Sequence, residues 1–161
     1  DMRIGVVSDS HGHVANTLAA INLLSGLDVA RVLHCGDIGT ESIPPLFKAW
    51  PTDFVFGNCD YAHEELAAAI RAAGLTCHGV FGDLEIAGRR IALIHSDDHR
   101  QFREVTTGGA YDLVCYGHTH EAKIEHVGPT LVLNPGALYR ANPHSLAIVE
   151  LDTMRAEIVH L

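Results

Sequence analysis

The chain has no apolar run approaching the ~20 residues that a membrane span requires. Nor does a charged segment followed by a long apolar stretch open it, so a soluble, cytoplasmic protein is expected. Cys35, Cys59, Cys77 and Cys115 are far apart and form no C-x-x-C pair. This excludes a zinc knuckle or thioredoxin-type motif and fits reduced thiols. Basic residues are scarce, 11 Lys and Arg against 20 Asp and Glu, for a net charge of -9. That balance argues against a surface built to neutralise a long run of nucleic-acid phosphates, while leaving room for one local cationic pocket. No internal repeat, low-complexity tract or linker is visible. With 161 residues, 47% hydrophobic and 19% charged, the chain reads as one domain over 1–161 with a substantial core, and disorder and coiled coil are disfavoured. Met2 is expected to be the native start, with Asp1 an addition ahead of it.

Histidine is in surplus. Its 12 copies outnumber Lys and Arg together and are dispersed along the chain, which calls for a chemical reason. Met2 to Val7 is an apolar run that ends in SDSHGH, the pattern of a buried strand delivering polar residues at its C-terminal end. Ala30 to Leu33 ends likewise in HCGD, and Phe54 to Phe56 in GNCD. Helical spacing lies between them at Val14 to Leu24, near Glu41 to Ala49, and at Glu64 to Ala73, where Gly74 suits the position after a helix end. Strand-helix alternation spells a parallel α/β sheet. After Thr76 short β-like runs follow tight turns, at Leu84 to Ile86, Ile91 to Ile94, Leu113 to Tyr116, Ala122 to Val127, Leu131 to Leu133, Leu146 to Leu151 and Ala156 to Val159. A helix near Arg100 to Thr107 interrupts them, and hairpins are expected to replace crossovers in this half. Two packed sheets with helices outside are the simplest result.

The polar residues just after these runs are Asp9 and His11, then Asp37, Asn58, His95, and His118 with His120. Strand ends of an open α/β sheet converge on one crevice, so residues scattered in sequence can meet there. Two carboxylates, one amide oxygen and four imidazoles suffice for two metals sharing a carboxylate. Such O and N ligands suit Mn, Fe, Co, Ni or Zn better than Ca or Mg. Strand alternation would point Asp9 and His11 the same way, and likewise His118 and His120. Taken singly, each signal has an ordinary structural reading: a helix N-cap at Asp9 or Ser10, turns at Gly36-Asp37 and Gly57-Asn58, and a core histidine at His95. Together, and in this order, they point to a metal site.

The ordered set DSHG (Asp9 to Gly12), HCGD (His34 to Asp37), GNCD (Gly57 to Asp60), IHS (Ile94 to Ser96), GHTH (Gly117 to His120) and NPG (Asn134 to Gly136) resembles the calcineurin-like metallophosphoesterase superfamily. It is similar in particular to the small single-domain phosphodiesterases of bacteria and archaea. The resemblance implies an α/β fold of four layers, an αββα sandwich with two mixed β-sheets flanked by helices around a dinuclear metal site. It implies Asp9, His11 and His120 as ligands of the first metal, Asn58, His95 and His118 as ligands of the second, and Asp37 as the bridge. Asp37, Asn58 and His118 would be the catalytic residues. The chain departs from the family pattern at Cys59, where many members have His, at Ser96 in place of Gly, and at Ala137 in place of Ser. Cys59 is a candidate substrate contact, as are Asp98 and His99 close after His95.

The implied activity is hydrolysis of a small phosphodiester by a hydroxide bridging two divalent ions, Mn foremost, with Fe, Ni, Co or Zn as alternatives. The alternatives are a non-catalytic scaffold, since the family also resembles a small subunit of the retromer coat, and a nuclease. The expected partner is a small phosphoester; a membrane and a stable nucleic-acid complex are not expected, and a homo-oligomer is left open.

Overall fold

Two-residue alternation in strand β1 (Arg3–Val7) sends Ile4 and Val6 to one side and Val7 to the other. Such strands, buried on both faces, read as continuous apolar runs. In the computed structural model, which describes residues 2–161, the same alternation recurs in both sheets; the expectation for Asp1 lies outside these residues. The first sheet has the order β11-β10-β1-β2-β3-β4, where β2 is Arg31–His34, β3 Thr52–Phe54, β4 Thr76–Cys77, β10 Ser145–Glu150 and β11 Arg155–His160. Strands β1 to β4 are parallel, and β10 and β11 add antiparallel. The second sheet runs β5-β6-β7-β9-β8, with β5 at Gly82–Ile86, β6 at Arg89–Leu93, β7 at Leu113–Cys115, β8 at Lys123–Val127 and β9 at Thr130–Asn134.

Three apolar interfaces show the four expected layers. Ile4, Val6, Leu33, Ala147 and Val149 of the first sheet meet Ile91, Leu93, Leu113, Leu131 and Leu133 of the second. Helices α1 (Val14–Ser25) and α2 (His63–Ala72) cover the outer face of the first sheet, where Ala20, Leu24, Leu66 and Ile70 pack with Val7, Val32 and Phe54. Helix α3 (His99–Thr107) covers the second through Phe102 and Val105 against Ala92, Val114 and Val132. Burying a side chain such as Leu93 contributes about 1.5–3 kcal/mol, which sets the register of every strand it touches. Cys35 and Cys115 are core thiols between the sheets, and burial pushes both well above the usual thiol range.

The architecture corrects two readings and settles the place of the last two strands. The helix expected near Glu41 to Ala49 is only a 3-10 turn at Pro44–Phe47, because Pro44 and Pro45 lack the N–H that an interior helical position must donate and so can stand only in a first turn. Crossovers persist after Thr76: α3 connects β6 to a parallel β7, and β7 pairs parallel with β9. Finally, β10 and β11 return to the first sheet and close the open edge of β1. Apolar alternation identifies a strand but not its sheet.

Candidate metal centre

Strands β1, β2 and β3 of one sheet and β6 and β7 of the other end at the same edge of the sandwich. The loops that follow them bring together all seven ligand candidates: Asp9, His11, Asp37, Asn58, His95, His118 and His120. Strand alternation does not aim them. Strand β1 stops at Val7 and β7 at Cys115, and the loops beyond turn through left-handed backbone: φ is 55° at Asp9, 45° at His11, 55° at Asp37, 76° at His118 and 63° at His120. Non-glycine residues in this region are uncommon and cluster at functional sites. Close approach needs glycine nearby. A Cβ on Gly57 would collide with the Asp37 carboxylate, and one on Gly117 with Ser8 and Asp9. Ser96 takes φ 83°, and its hydroxyl donates to the Gly117 carbonyl at 3.1 Å, which ties the His95 loop to GHTH.

The donor atoms crowd together. His120 Nε2 lies 3.3 Å from Asp9 Oδ1 and 3.3 Å from His11 Nε2, while His11 Nε2 is 3.5 Å from Asp9 Oδ1 and 3.4 Å from Asp37 Oδ2. His95 Nε2 stands 3.1 Å from Asp37 Oδ2 and 3.9 Å from Asp9 Oδ1. His118 Nδ1 and Asn58 Oδ1 meet at 3.2 Å, and the His118 ring sits edge-on to His95. Asp9, His11 and His120 form one set of converging donors, His11, Asp37 and the exposed Cys59 a second, and Asp9, Asp37 and His95 a third. Asp9 therefore also reaches toward His95, across the division of ligands that the resemblance implies.

Hydrogen bonds to backbone carbonyls orient two of the rings. His95 Nδ1 donates to the Cys35 carbonyl at 2.8 Å, and His120 Nδ1 to that of Arg140 at 3.3 Å. Each neutral ring then points an Nε2 lone pair at carboxylate oxygens. Among the described residues, Asp9 Oδ1 and His95 Nε2 are the buried side-chain polar atoms with no hydrogen-bond partner. Lone pairs facing anions in a buried site repel unless a cation lies between them, so this donor set fits a divalent metal. Without one, a proton does the same work. The adjacent Asp9 carboxylate raises the His11 pKa, and for His95 the carboxylates outweigh a burial that alone would lower it. Burial favours the neutral form of Asp9 and Asp37, yet the surrounding imidazoles hold both below the usual carboxylate range.

The remaining candidates are spread along the rim. Cys59 is exposed in the cleft, and its backbone N–H donates to Asp37 Oδ1 at 2.9 Å. Partial desolvation and the Asp37 charge push its thiol upward. Asp98 caps α3 by accepting from the Gln101 N–H at 3.1 Å and lines a groove beside Asn58, whereas His99 begins the helix and lines neither groove nor cleft. His13, not Asp9 or Ser10, caps α1. Sequence reasoning missed Tyr139 and Arg140, which line the cleft of about 490 Å³ together with the ligand candidates. The Arg140 guanidinium stacks 5.3 Å over Tyr139. The available signal was a lone cation four residues after NPG in an acidic chain. It also missed Asp60, the last residue of GNCD. Its buried carboxylate accepts from Ile38, Gly39 and Gly57 N–H at 3.1, 3.0 and 2.9 Å, locking the Asp37 and Asn58 loops together.

Such a sandwich with N and O donors at its strand ends is the architecture of metal-dependent phosphoesterases. The calcineurin-like phosphoesterase superfamily domain matches residues 2–154, and the chain belongs to that family. It is a phosphoesterase, a hydrolase. A phosphodiesterase of Methanocaldococcus jannaschii is 30% identical over 140 residues, covering 84% of this chain and 83% of the relative. Among solved structures, an archaeal phosphodiesterase superposes with a TM-score of 0.92 at 27% identity, covering 99% of this chain and 100% of the other. The zinc complex of Vps29 from Entamoeba histolytica gives a TM-score of 0.68 at 17% identity, with 99% and 98% covered, a likeness of fold alone.

Proposed function

We propose that the chain is a dinuclear metal-dependent phosphodiesterase acting on small phosphodiesters. The observation that carries this reading is the buried pair of unpartnered atoms, Asp9 Oδ1 and His95 Nε2, set among further donors aimed at the same space. Asp9, His11 and His120 would hold one ion, Asn58, His95 and His118 the other, with Asp37 between them. Manganese suits the mixed O and N set, as do Fe, Co, Ni and Zn. Divalent ions held there would polarise the phosphoryl oxygens and lower the pKa of water.

The chain's own residues supply the rest. Two divalent ions against the two carboxylates leave a surplus of about two positive charges, which draws a phosphate to an otherwise acidic protein. The Arg140 guanidinium on the cleft wall adds a fixed cation for non-bridging oxygens. Asn58 and His118, at the more exposed side, would contact the phosphate, and Asp37 would hold the two ions together. The Cys59 thiol stays protonated and is a poor proton donor to a leaving alkoxide. The scaffold reading is disfavoured because every ligand position holds a usable side chain. The nuclease reading is disfavoured by the charge of -9. The free cysteines suit the cytoplasm, and no described helix is long and apolar enough to cross a membrane.

The deciding experiment strips the protein of metal, reloads it with Mn, Ni, Co, Zn or Mg, and measures hydrolysis of bis-p-nitrophenyl phosphate and of phosphomonoesters. Metal-dependent turnover that favours the diester is expected. No turnover with both sites filled would reverse the assignment in favour of a scaffold.

A further inference from the structure

Beyond Asn58 the cleft opens into a second groove of about 590 Å³. Asn58 lines both spaces, so the groove adjoins the cleft, within reach of a substituent on a phosphoester held at the metal centre. Its walls are unlike those of the cleft. Tyr61 and Val80 line it although they are 87% and 58% exposed, an unusual pair of large apolar surfaces left open to water beside a reaction centre. Phe56 and His63 stack at 4.2 Å and also face it. Asp97 and Asp98 stand on its rim, and no Lys or Arg lines it. The buried Asp60 carboxylate is committed to three backbone donors. The basic residue of the centre, Arg140, lines the cleft and not the groove.

We infer that the groove seats an alkylammonium substituent of the phosphodiester, with the cation against the Tyr61 ring and the Asp97 and Asp98 carboxylates. Two acidic side chains alone would not define a site. The cavity, its continuity with the metal centre and its open aromatic wall define it, and the charge selects the occupant. An anionic substituent is repelled by the rim, and a neutral one gains only apolar contact. A cation gains the ring quadrupole and the unneutralised carboxylates together. This inference deepens the phosphodiesterase reading and rests on it.

The test compares two p-nitrophenyl phosphodiesters on the metal-loaded full chain, one esterified with choline and one with 3,3-dimethylbutanol, in which carbon replaces the charged nitrogen. At low ionic strength kcat/KM should favour the choline ester by about fivefold or more, the size expected of an exposed cation–π contact and a screened ion pair, and salt should erode the ratio. Asp97→Asn, Asp98→Asn and Tyr61→Leu should each lower it. Asparagine still caps a helix, so Asp98→Asn removes charge without unwinding α3. Glu157→Gln, which changes net charge away from the groove, should leave the ratio unaltered. Equal kcat/KM for the two esters, or an effect of Glu157→Gln equal to that of Asp97→Asn, overturns the inference while the phosphodiesterase reading stands. If neither ester turns over, that reading fails by itself. Calorimetric binding of choline phosphate against 3,3-dimethylbutyl phosphate then decides the groove separately, equal affinities overturning it.

Discussion

Ser10 and His34 are 24 residues apart in the chain, and their side chains meet at 2.9 Å in the core. Gly36 N–H donates to His34 Nδ1 at 3.1 Å, which leaves the ring proton on Nε2, directed at Ser10 Oγ. The Ser10 hydroxyl then donates to the Ile38 carbonyl at 2.9 Å. The relay is uncharged and fully satisfied, and it clamps the Asp9-Ser10-His11 loop to the Gly36-Asp37-Ile38 loop. Backbone bonds from Asp9, His11 and Gly12 N–H to the carbonyls of Gly36, Asp37 and Ile38 run alongside it. Phe47 and Phe54 pack against the imidazole.

His34→Phe should keep the packing but leave the Gly36 N–H unpaired and deprive Ser10 Oγ of the hydrogen bond it accepts, its own bond to the Ile38 carbonyl remaining. The unpaired buried N–H costs about 1–3 kcal/mol, so the thermal midpoint should fall by several degrees and metal affinity with it. Asparagine can reproduce the Nδ1 acceptor and glutamine the Nε2 donor, so both should lose less. Calorimetric metal titration and thermal unfolding of the three variants check this. His34→Phe with wild-type metal affinity would remove the relay from any role in holding the site.

Burial lowers the His34 pKa to about 4 from the ordinary 6.5. The folded state holds this ring neutral while the unfolded chain can protonate it. Stability from this group is therefore complete above pH 6.5 and is lost as pH falls toward 4, by roughly 3 kcal/mol from the size of the shift. Denaturant unfolding of metal-free protein between pH 4 and 7 should show a shallower pH slope in His34→Gln than in wild type. Identical slopes would contradict a neutral buried ring.

Asp37→Ala should reduce activity by more than about 100-fold, since changes even to the outer partners of ligands cost 10–100-fold. Metal analysis should find both ions weakened, whereas His120→Ala and His118→Ala should each weaken one. Near-wild-type turnover in Asp37→Ala would end the dinuclear assignment.

Chelation should destabilise the protein. One site at a metal concentration 100 times its Kd adds about 2.7 kcal/mol, or roughly 5–10 °C of thermal midpoint. A midpoint that does not respond to metal would mean that the converging donors bind none.

The Cys59 thiol predicts steep dependence on the leaving group, because aryl esters need little protonation and alkyl esters much. General acid catalysis contributes about 10²- to 10⁴-fold. Cys59→His should therefore speed alkyl esters more than aryl esters, as measured across a series of both with metal content verified. Parallel slopes for the two proteins would show that position 59 donates no proton.

The sequence by itself determined the strands other than β4 and the candidate donors with their order. Apolar runs ending in DSHG, HCGD, GNCD, IHS and GHTH are local patterns, and burial on both faces requires them. The four layers followed from the family resemblance. What only the tertiary structure decided depends on contacts between distant segments. Strands β10 and β11 could complete either sheet, and the open edge of β1 chose them. The Asp9-x-His11 and His118-x-His120 pairs converge through left-handed turns, and not through strand alternation, because Gly57 and Gly117 let neighbouring loops approach closely enough to hold those turns. The Ser10–His34 relay, the Asp60 clasp and the place of Arg140 join residues with no shared local pattern. Only the packed loops bring them within hydrogen-bonding distance or into one cleft.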